Sequence, residues 1–396
     1  MYSVYYCLTN QHDWRFVLLA ACVCAVASFT SFHIYSRITD ESPQSGNKMR
    51  RLVWLVLTGI STGSGIWATH FVAMLAYDPG LPTAFAPFAT AASLLIAVVM
   101  TTGGFWIAAR LGVPMHEISL HSFPDGELRV AVGAAASTTV IYAALDRPND
   151  KLLAILFAAE ALRRGGAKRL VLLAPYLCYM RQDAAFQRGE AISQKVIGRL
   201  LAGIVDRVIT VDAHLHRTTD IKEIFPGIQA DNLPAMPAIA DWLRGVGFDP
   251  GMIVVGPDVE SRAWVGDLAG RLGLAHTVAQ KSRFGDRSVE MRFDDPKLFA
   301  GRPVLLIDDI VSSGSTLIAC GKALVAAGAK SIDAIVTHAL FPAELTSTFV
   351  RAGIRSVRST HSVPHPTNAI SLDDIFVAAL RNEASSAVLP QGPSRE

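Results

Sequence analysis

Hydrophobic and polar residues are distributed very unevenly along this chain. Three long runs within its first 110 residues carry no charged side chain, and each is long enough to cross about 30 Å of hydrocarbon as a helix. They predict three transmembrane helices, at about 16–36, 52–77 and 88–109. The loop between the first two is rich in Lys and Arg, whereas the next loop has neither, so the positive-inside rule places the N-terminus outside and everything after residue 110 in the cytoplasm.

Beyond residue 110 the pattern changes to short apolar runs that alternate with amphipathic stretches. The runs are rich in Val, Ile and Leu, as buried parallel strands are: TTVIYAAL, RLVLLAPY, RVITVDAH, MIVVGPD, PVLLIDDI and SIDAIVTHAL. The stretches between them predict helices at about 151–164, 191–204, 235–246, 259–272 and 315–327. Such alternation is typical of α/β domains with doubly wound parallel sheets, and the number of strands favours two of them. We therefore expect a membrane segment over 1–110, domains over 111–234 and 235–382, and a disordered tail at 383–396.

The composition supports this division. Hydrophobic residues make up 51% of the 396 residues, the mean hydropathy is +0.34, and only 18% are charged. An ordinary soluble domain is roughly 25% charged, so part of this chain is expected to lie outside water. The formal net charge of +2 is too small to indicate nucleic acid as a partner. The five cysteines are scattered, with no Cys-x-x-Cys pair, which argues against a disulfide framework or a zinc site and favours a reducing compartment.

The most informative local pattern is VLLIDDIVSSGSTL, at 304–317. A hydrophobic strand ends in two adjacent acids, Asp308 and Asp309, and a loop of small residues then opens a helix. Ligands bind at this end of a parallel sheet, where the loop offers backbone N–H groups and hydroxyls to a phosphate. The two acids can face ribose hydroxyls or a hydrated metal. The candidate phosphate ligands are Ser312, Ser313, Gly314, Ser315 and Thr316.

Two further clusters fit phosphate chemistry. His214 and Asp258 each follow a predicted strand, so both can reach one cleft and anchor the Mg²⁺ of a nucleotide, which otherwise keeps its waters and phosphate oxygens. Lys281 and Arg283 lie in a segment too charged to be core. By composition alone that segment is equally consistent with a solvated loop and with a mobile loop that closes over phosphates.

The acidic strand end and its loop resemble the PRPP-binding loop of phosphoribosyltransferases and of PRPP synthetases (ribose-phosphate diphosphokinases). Further segments resemble only the synthetases, in family order, so that the resemblance runs from about 111 to 380. These segments are FPDGE at 123–127, PYLCYMRQD at 175–183, DAHLH at 212–216, GPD at 256–258 and KSR at 281–283. The resemblance implies two phosphoribosyltransferase-type α/β domains.

The resemblance also implies an activity and the roles of residues. Ribose 5-phosphate would attack the β-phosphorus of Mg-ATP, so that PRPP and AMP are formed, with Mg²⁺ as cofactor. Lys281 would be the main catalytic residue, aided by Arg283, while the loop with Asp308 and Asp309 would bind ribose 5-phosphate. In this family a neighbouring subunit usually contributes the adenine pocket, which implies a homo-oligomer. The residues implied to bind ATP are Phe123, Asp125, Gly126, Glu127, Arg181, Gln182 and Asp183.

The N-terminal segment resembles another family, the bacterial MHYT membrane sensor domain. GIWATHFVAMLAY matches its signature stretch, with Thr69 where Met is expected. His70 and Met74 lie one helical turn apart, and an imidazole with a thioether can bind a soft ion such as Cu(I). The domain normally holds about six spans, so these three are either a sensor or an anchoring remnant. The expected location is the inner membrane, multi-pass, with the α/β part in the cytoplasm.

Two departures from the synthetase pattern bear on function. Ser315 stands where the loop usually has a glycine, and membrane-like sequence replaces the usual first strand and helix. Either 94–101 serves as that strand and 105–111 as that helix, or the first unit is missing. Two rival interpretations follow: a phosphoribosyl-binding regulator or phosphoribosyltransferase without synthetase activity, and a membrane sensor whose α/β part reads nucleotide levels.

Overall fold

The computed structural model describes residues 14–40, 48–76, 94, 98, 102, 111, 113–185, 187–215, 217–218, 220–284 and 288–387. The chain divides into two compact units, which we describe separately. The first unit comprises Met1–Gly133 and Phe376–Glu396, and the second comprises Ala134–Ile375.

Two helices lead the first unit, α1 (Trp14–Asp40) and α2 (Lys48–Ala76). They pack on each other through small residues, with Ser31 Oγ 3.2 Å from Ser61 Oγ. Both coincide with predicted transmembrane helices, but no helix within the described residues is long and apolar enough to cross a membrane. The third predicted span, 88–109, lies outside the described residues apart from isolated positions.

An antiparallel hairpin follows in the same unit, formed by β1 (Ser119–Ser122) and β2 (Leu128–Ala131). Its turn is the FPDGE segment. The N–H of Phe123 donates to the carbonyl of Glu127 at 2.7 Å, and the N–H of Gly126 donates back to that of Phe123 at 2.9 Å. Gly126 adopts a φ of 91°, a conformation that costs glycine least. The turn that carries the predicted adenine-binding residues is therefore closed by its own backbone.

The second unit is built on two parallel sheets, as the alternating pattern predicted. The strands are β3 (Thr138–Tyr142), β4 (Arg169–Ala174), β5 (Arg207–Val211), β6 (Gln229–Leu233), β7 (Ile253–Gly256), β8 (Ala275–Val278), β9 (Gln280–Phe284), β10 (Ser288–Arg292), β11 (Pro303–Val311), β12 (Ser331–Ala339), β13 (Ile354–Thr360) and β14 (Asn368–Ile370). The smaller sheet has the order β3-β4-β5-β6 and the larger β14-β13-β12-β11-β7-β8, and a separate antiparallel ribbon joins β9 to β10.

The helices that lie close to predicted positions are α3 (Pro148–Arg164), α4 (Ser193–Ala202), α5 (Met236–Val246), α6 (Arg262–Leu272) and α7 (Ser315–Ala326). Two further helices were not predicted: α8 (Leu345–Arg351), between β12 and β13, and α9 (Asp373–Ala387), which follows β14 and belongs to the first unit from Phe376 onwards. Short 3₁₀ turns occupy Ile221–Glu223, Val259–Ser261 and Pro296–Phe299. The start of the predicted 259–272 helix is thus a 3₁₀ turn, which leaves α6 to begin at Arg262.

The C-terminal prediction was partly wrong. The disordered tail was expected from 383, yet α9 continues to Ala387. Phe376, Leu380 and Glu383 are all buried at helical spacing, so the amphipathic pattern extends further than the polar composition suggested. Residues 388–396 lie outside the described part of the chain.

The core of the second unit lies on the faces of the central strands. Val254, Leu306 and Val336 of three neighbouring strands are all completely buried, because both faces of a parallel sheet are covered by helices. The register pairs Leu305 with both Val254 and Asp333, which brings the ends of β7, β11 and β12 to one edge of the sheet. That edge is where the polar motifs emerge.

Candidate functional site

The two sheets contribute to one polar cluster at their carboxyl ends. His214 follows β5 of the smaller sheet, and Asp309 lies near the end of β11 in the larger one; His214 Nδ1 is 2.5 Å from Asp309 Oδ2. Burial opposes ionisation of Asp309, but the hydrogen bond and charge of His214 outweigh it and hold the pKa of Asp309 below its ordinary value. Burial likewise opposes protonation of His214, but Asp309 raises the pKa of His214 overall. The two residues therefore form a charge-assisted pair across the sheets.

Two more carboxyl groups lie beside this pair. Burial and the nearby carboxylates of Asp309 and Asp258 raise the pKa of Asp308 well above its ordinary value. Asp258 caps the 3₁₀ turn after β7, accepting from the N–H of Ser261 at 3.1 Å. Three crowded carboxyl groups repel one another and favour a bound cation. In the part of the chain that is described, no three acidic, His or Cys side chains converge on a complete metal site. Carboxylate oxygens are ligands that suit Mg²⁺, which also keeps waters and binds nucleotide phosphates.

The small-residue loop forms the N-terminus of α7. Gly314 caps the helix with a φ of 71°, and a Cβ there would lie 2.7 Å from Phe349 Cε1. Glycine is therefore required at 314. Ser315 is the first helical residue, and its φ is not positive, so the departure from the family pattern at that position causes no backbone strain. The serines bond locally, with Ser313 Oγ 3.1 Å from Ser315 Oγ.

The segment after β4 reaches the same loop. Arg181 Nη1 donates to Ser312 Oγ at 3.3 Å, which places a predicted ATP ligand beside the predicted ribose-phosphate loop. The carboxylate of Asp183 accepts from Nη1 of Arg217 at 2.6 Å and from the backbone N–H of Arg217 at 3.0 Å. These bonds outweigh burial and lower the pKa of Asp183. Asp183 therefore fixes the chain shortly after His214.

Gln182 lies beside Asp183 and packs towards α4. Its Oε1 accepts from the hydroxyl of Ser193 at 3.1 Å, at the first residue of that helix. The side-chain amide of Gln194 donates in turn to the carbonyl of Met180 at 3.2 Å. Two residues of α4 therefore bond the start of the RQD segment, Ser193 to Gln182 and Gln194 to Met180.

The structure does not unite every predicted residue with this cluster. Lys281 and Arg283 lie two positions apart on β9, opposite Met291 and Val289 of β10, so the expected mobile loop is an antiparallel ribbon; their side chains are outside the described part. Phe123, Asp125, Gly126 and Glu127 belong to the β1–β2 hairpin of the first unit. His70 and Met74, the candidate copper ligands, lie on α2, and their side chains are also outside the described part.

Sequence reasoning missed one residue of this region. His338 lies near the end of β12, has no exposed surface, and its ring packs against that of Tyr176 with the centroids 5.0 Å apart. Burial lowers the pKa of His338 to about 4. The only signal in the sequence is a polar Thr-His pair at the end of an otherwise apolar strand.

Comparison with known proteins agrees with this architecture. Three family models match: the N-terminal domain of ribose phosphate pyrophosphokinase over 105–204, the phosphoribosyl transferase domain over 237–349, and a bacterial signalling protein N-terminal repeat, MHYT, over 63–120. The pyrophosphokinase match and the MHYT match overlap over residues 105–120, around the start of the α/β part.

Individual relatives also match over most of the α/β part. The ribose-phosphate pyrophosphokinase of Pyrococcus abyssi is 32% identical over 66% of this chain and 89% of its own length. Ribose-phosphate pyrophosphokinase 2 of Archaeoglobus fulgidus is 30% identical over 68% of this chain and 93% of its own. The structure of phosphoribosylpyrophosphate synthetase from Mycobacterium smegmatis superposes with a TM-score of 0.61 over 71% of this chain and 94% of that one, at 24% identity, which shows the shared fold.

Proposed function

The chain belongs to the ribose-phosphate pyrophosphokinase family, and from this premise we propose that it transfers the pyrophosphoryl group of Mg-ATP to O1 of ribose 5-phosphate, giving PRPP and AMP for nucleotide biosynthesis. The observation that carries the proposal is the 2.5 Å contact between His214 and Asp309. It joins the end of a strand in one sheet to the acidic strand end in the other. Two substrates held by the two sheets would therefore meet at this edge.

The reaction requires little covalent chemistry from the protein. O1 of ribose 5-phosphate attacks the β-phosphorus, a new P–O bond forms, the bond to the bridging oxygen of AMP breaks, and the O1 proton is released. The N–H groups at the start of α7 suit the 5-phosphate, because a helix N-terminus favours negative charge. Asp308 and Asp309 suit the ribose hydroxyls. Bound Mg²⁺, held by His214 and Asp258, would neutralise charge on the nucleotide phosphates.

We assign the catalytic charge to Lys281 and Arg283. Pyrophosphoryl transfer is accelerated mainly by positive groups placed where negative charge develops. Both residues lie on β9, and the ribbon is anchored at its base by Met291, which is buried in the core of the larger sheet. Lys281 lies opposite Met291 at this base, and Arg283 lies two positions further along the strand, so the anchored ribbon would hold both cations in fixed order.

Phosphorus NMR of the full-length protein with ATP, Mg²⁺ and ribose 5-phosphate tests this function. We expect AMP and PRPP in equal amounts, and Lys281→Ala should lower the rate by about a hundredfold or more. The matched control is Lys297→Ala, which removes an exposed lysine from the 3₁₀ turn after the ribbon and should leave the rate unchanged. Binding of ribose 5-phosphate without product would overturn the assignment and favour the regulator instead.

We also propose that the N-terminal part attaches the enzyme to the inner membrane, with the α/β part in the cytoplasm. Large apolar side chains of α1 are exposed, among them Phe29 and Val26. Hydroxyl groups on α2 bond back to carbonyls of their own helix, as for Thr62 on Thr58 at 2.9 Å, which suits a medium without water. After alkaline carbonate extraction we expect the protein in the membrane pellet, whereas release into the supernatant would contradict attachment.

A further inference from the structure

His338 occupies a junction between the two sheets. It is the second-last residue of β12 in the larger sheet, and its side chain is completely buried. Around the ring lie the carbonyl of Val211 at the end of β5, the hydroxyl of Ser362 after β13, and the ring of Tyr176 after β4. One imidazole therefore touches the carboxyl ends of strands from both sheets.

The hydrogen bonds of His338 define its tautomer. Nε2 lies 3.0 Å from the carbonyl of Val211 and 3.4 Å from that of Asp212, and because carbonyl oxygens only accept, Nε2 carries the proton. Nδ1 lies 2.7 Å from Ser362 Oγ, and that hydroxyl also lies 2.8 Å from the carbonyl of Thr337. Both ring nitrogens therefore have a hydrogen-bonding partner.

A second contact reinforces the junction at the adjacent residues. Thr337 Oγ1 donates to Asp212 Oδ2 at 3.0 Å, and the N–H of Ala235 donates to Asp212 Oδ1 at 3.2 Å. Asp212 adopts a φ of 36°, in the left-handed region that costs a residue with a Cβ free energy. A backbone held in this conformation needs fixed partners, and β12 supplies them through two consecutive side chains.

The chain that leaves this junction leads directly to the active site. His214 lies two residues beyond Asp212, and its imidazole meets Asp309 on β11, the neighbouring strand of β12. The neighbouring strands β11 and β12 therefore hold both ends of the segment 211–214. His338 on β12 bonds the carbonyl of Val211, and Asp309 on β11 contacts His214. A shift of β5 relative to β12 would move His214 away from the carboxylates.

We infer that His338 is a positioning residue, which holds the end of β5 against the larger sheet so that His214 can anchor the metal of the nucleotide. The inference rests on the proposed function, whose site it extends. His338 itself does not contact substrate, because it is buried and both of its nitrogens are engaged. Its effect should therefore fall on Mg-nucleotide affinity and leave ribose 5-phosphate affinity unchanged.

Two substitutions separate positioning from packing. In His338→Gln the terminal amide can reach the Val211 carbonyl as Nε2 does, whereas the shorter amide of His338→Asn reaches only towards Ser362. The matched control is His365→Asn, since buried His365 bonds a carbonyl through Nε2, that of Phe341 at 2.9 Å, and a hydroxyl through Nδ1, that of Thr367 at 2.7 Å. His365 makes these bonds without reaching the smaller sheet.

The test is calorimetric titration of the full-length proteins with Mg-ADP and, separately, with ribose 5-phosphate. Removing a group that orients a metal ligand typically costs 10- to 100-fold in metal affinity, so we expect His338→Asn to weaken Mg-ADP by about tenfold or more. Ribose 5-phosphate should bind within about twofold of wild type, and His338→Gln should recover most of the Mg-ADP affinity. His365→Asn should bind both as wild type does.

The outcomes for this inference and for the proposed function are distinct. Equal loss of Mg-ADP affinity in His338→Asn and His365→Asn, or no recovery with His338→Gln, would overturn the positioning role even if wild type makes PRPP. If wild type makes no PRPP but the affinities follow the expected order, positioning stands and the synthetase activity falls. Thermal unfolding of each variant shows that the titrated protein is folded.

Discussion

Burial changes the protonation of individual residues at this site in opposite directions. It lowers the pKa of His338 to about 4 and raises that of Asp212 to about 6, because each group loses the water that stabilised its charged form. At neutral pH the junction between the sheets is therefore held by an uncharged imidazole, whose Nε2 donates to the carbonyl of Val211.

This shift predicts how the stabilising effect of His338 depends on pH. The unfolded chain, with a histidine pKa near 6.5, binds a proton that the folded protein excludes until about pH 4, so stability rises with pH across that window and is lost on acidification. From pH 7 to pH 5 this amounts to about 2 kcal/mol. His338→Gln cannot titrate, so the difference in unfolding free energy between wild type and variant should become smaller by that amount. Urea unfolding at both pH values measures it; a constant difference would contradict the neutral, buried imidazole.

The local motifs indicated which polar residues lie at the edge of the sheets, but not which side chains those residues contact. The sequence pointed to His214, Asp258 and Asp309 because polar groups after apolar strands mark the edge of a parallel sheet. It could not show that His214 meets Asp309, since 95 positions separate the two and only the docking of the sheets joins them. The same holds for His338, whose contact with Val211 spans 127 positions.

Among the elements, most of the strands that were predicted are buried on both faces, and β3 is the exception, with Val140 and Tyr142 exposed. Runs such as RLVLLA in β4 and PVLLIDD in β11 are nearly continuous in apolar residues, and the structure confirms them. Eight of the described strands were missed. Four of them, β1, β2, β9 and β10, form antiparallel pairs outside the two parallel sheets. The other four belong to the parallel sheets. Three of these are short strands at sheet edges: Gln229–Leu233, Ala275–Val278 and Asn368–Ile370. In the fourth, Ile354–Thr360, arginine and serine residues interrupt the apolar ones. None of the four has an apolar run that would mark it as a strand, since each forms by pairing with a neighbouring strand.

The turn that carries Asp258 depends on a glycine at the end of β7. A Cβ on Gly256 would lie 1.8 Å from Ser261 Oγ, the residue whose N–H bonds Asp258. Gly256→Ala should therefore lower the free energy of unfolding by about 1–3 kcal/mol through overpacking and weaken Mg-ADP binding. Gly270→Ala is the control, because Gly270 lies in α6 with nothing near its Cβ position, and alanine there should stabilise by about 1 kcal/mol. Chemical unfolding distinguishes the two; equal effects would show that the turn tolerates a Cβ.

At the scale of the whole molecule, the carboxyl edges of both sheets lie within one compact unit, Ala134–Ile375. Neither sheet alone supplies the full set of polar groups, since β5 contributes His214 whereas β7 and β11 contribute the carboxylates. The activity is therefore a property of the pair of sheets. The hairpin with the predicted adenine-binding turn belongs to the other unit, and the role predicted for it rests on the family resemblance.

If a neighbouring subunit provides that turn, two impaired variants should rescue each other. Phe123→Ala removes the aromatic ring of the turn and should weaken ATP binding by about tenfold, as loss of a base-stacking ring does, whereas Lys281→Ala removes the catalytic charge from another part of the site. In an assembly of both variants, one site combines an intact Phe123 from one chain with an intact Lys281 from the other. A mixed pair has one such site out of two, and purification through a different tag on each variant leaves only mixed pairs, so the rate should recover to about half of wild type.

Co-expression with two different affinity tags, followed by tandem purification and the PRPP assay at limiting ATP, measures this recovery. Each variant purified alone, through the same two tags, serves as the control and should remain near its own residual rate. A mixed assembly that is no more active than the average of the two variants would mean that each chain completes its own site, because Phe123→Ala and Lys281→Ala would then disable separate sites without leaving an intact one. Recovery would instead make oligomerisation a condition of catalysis, since a single chain would lack the ring that its ATP stacks on.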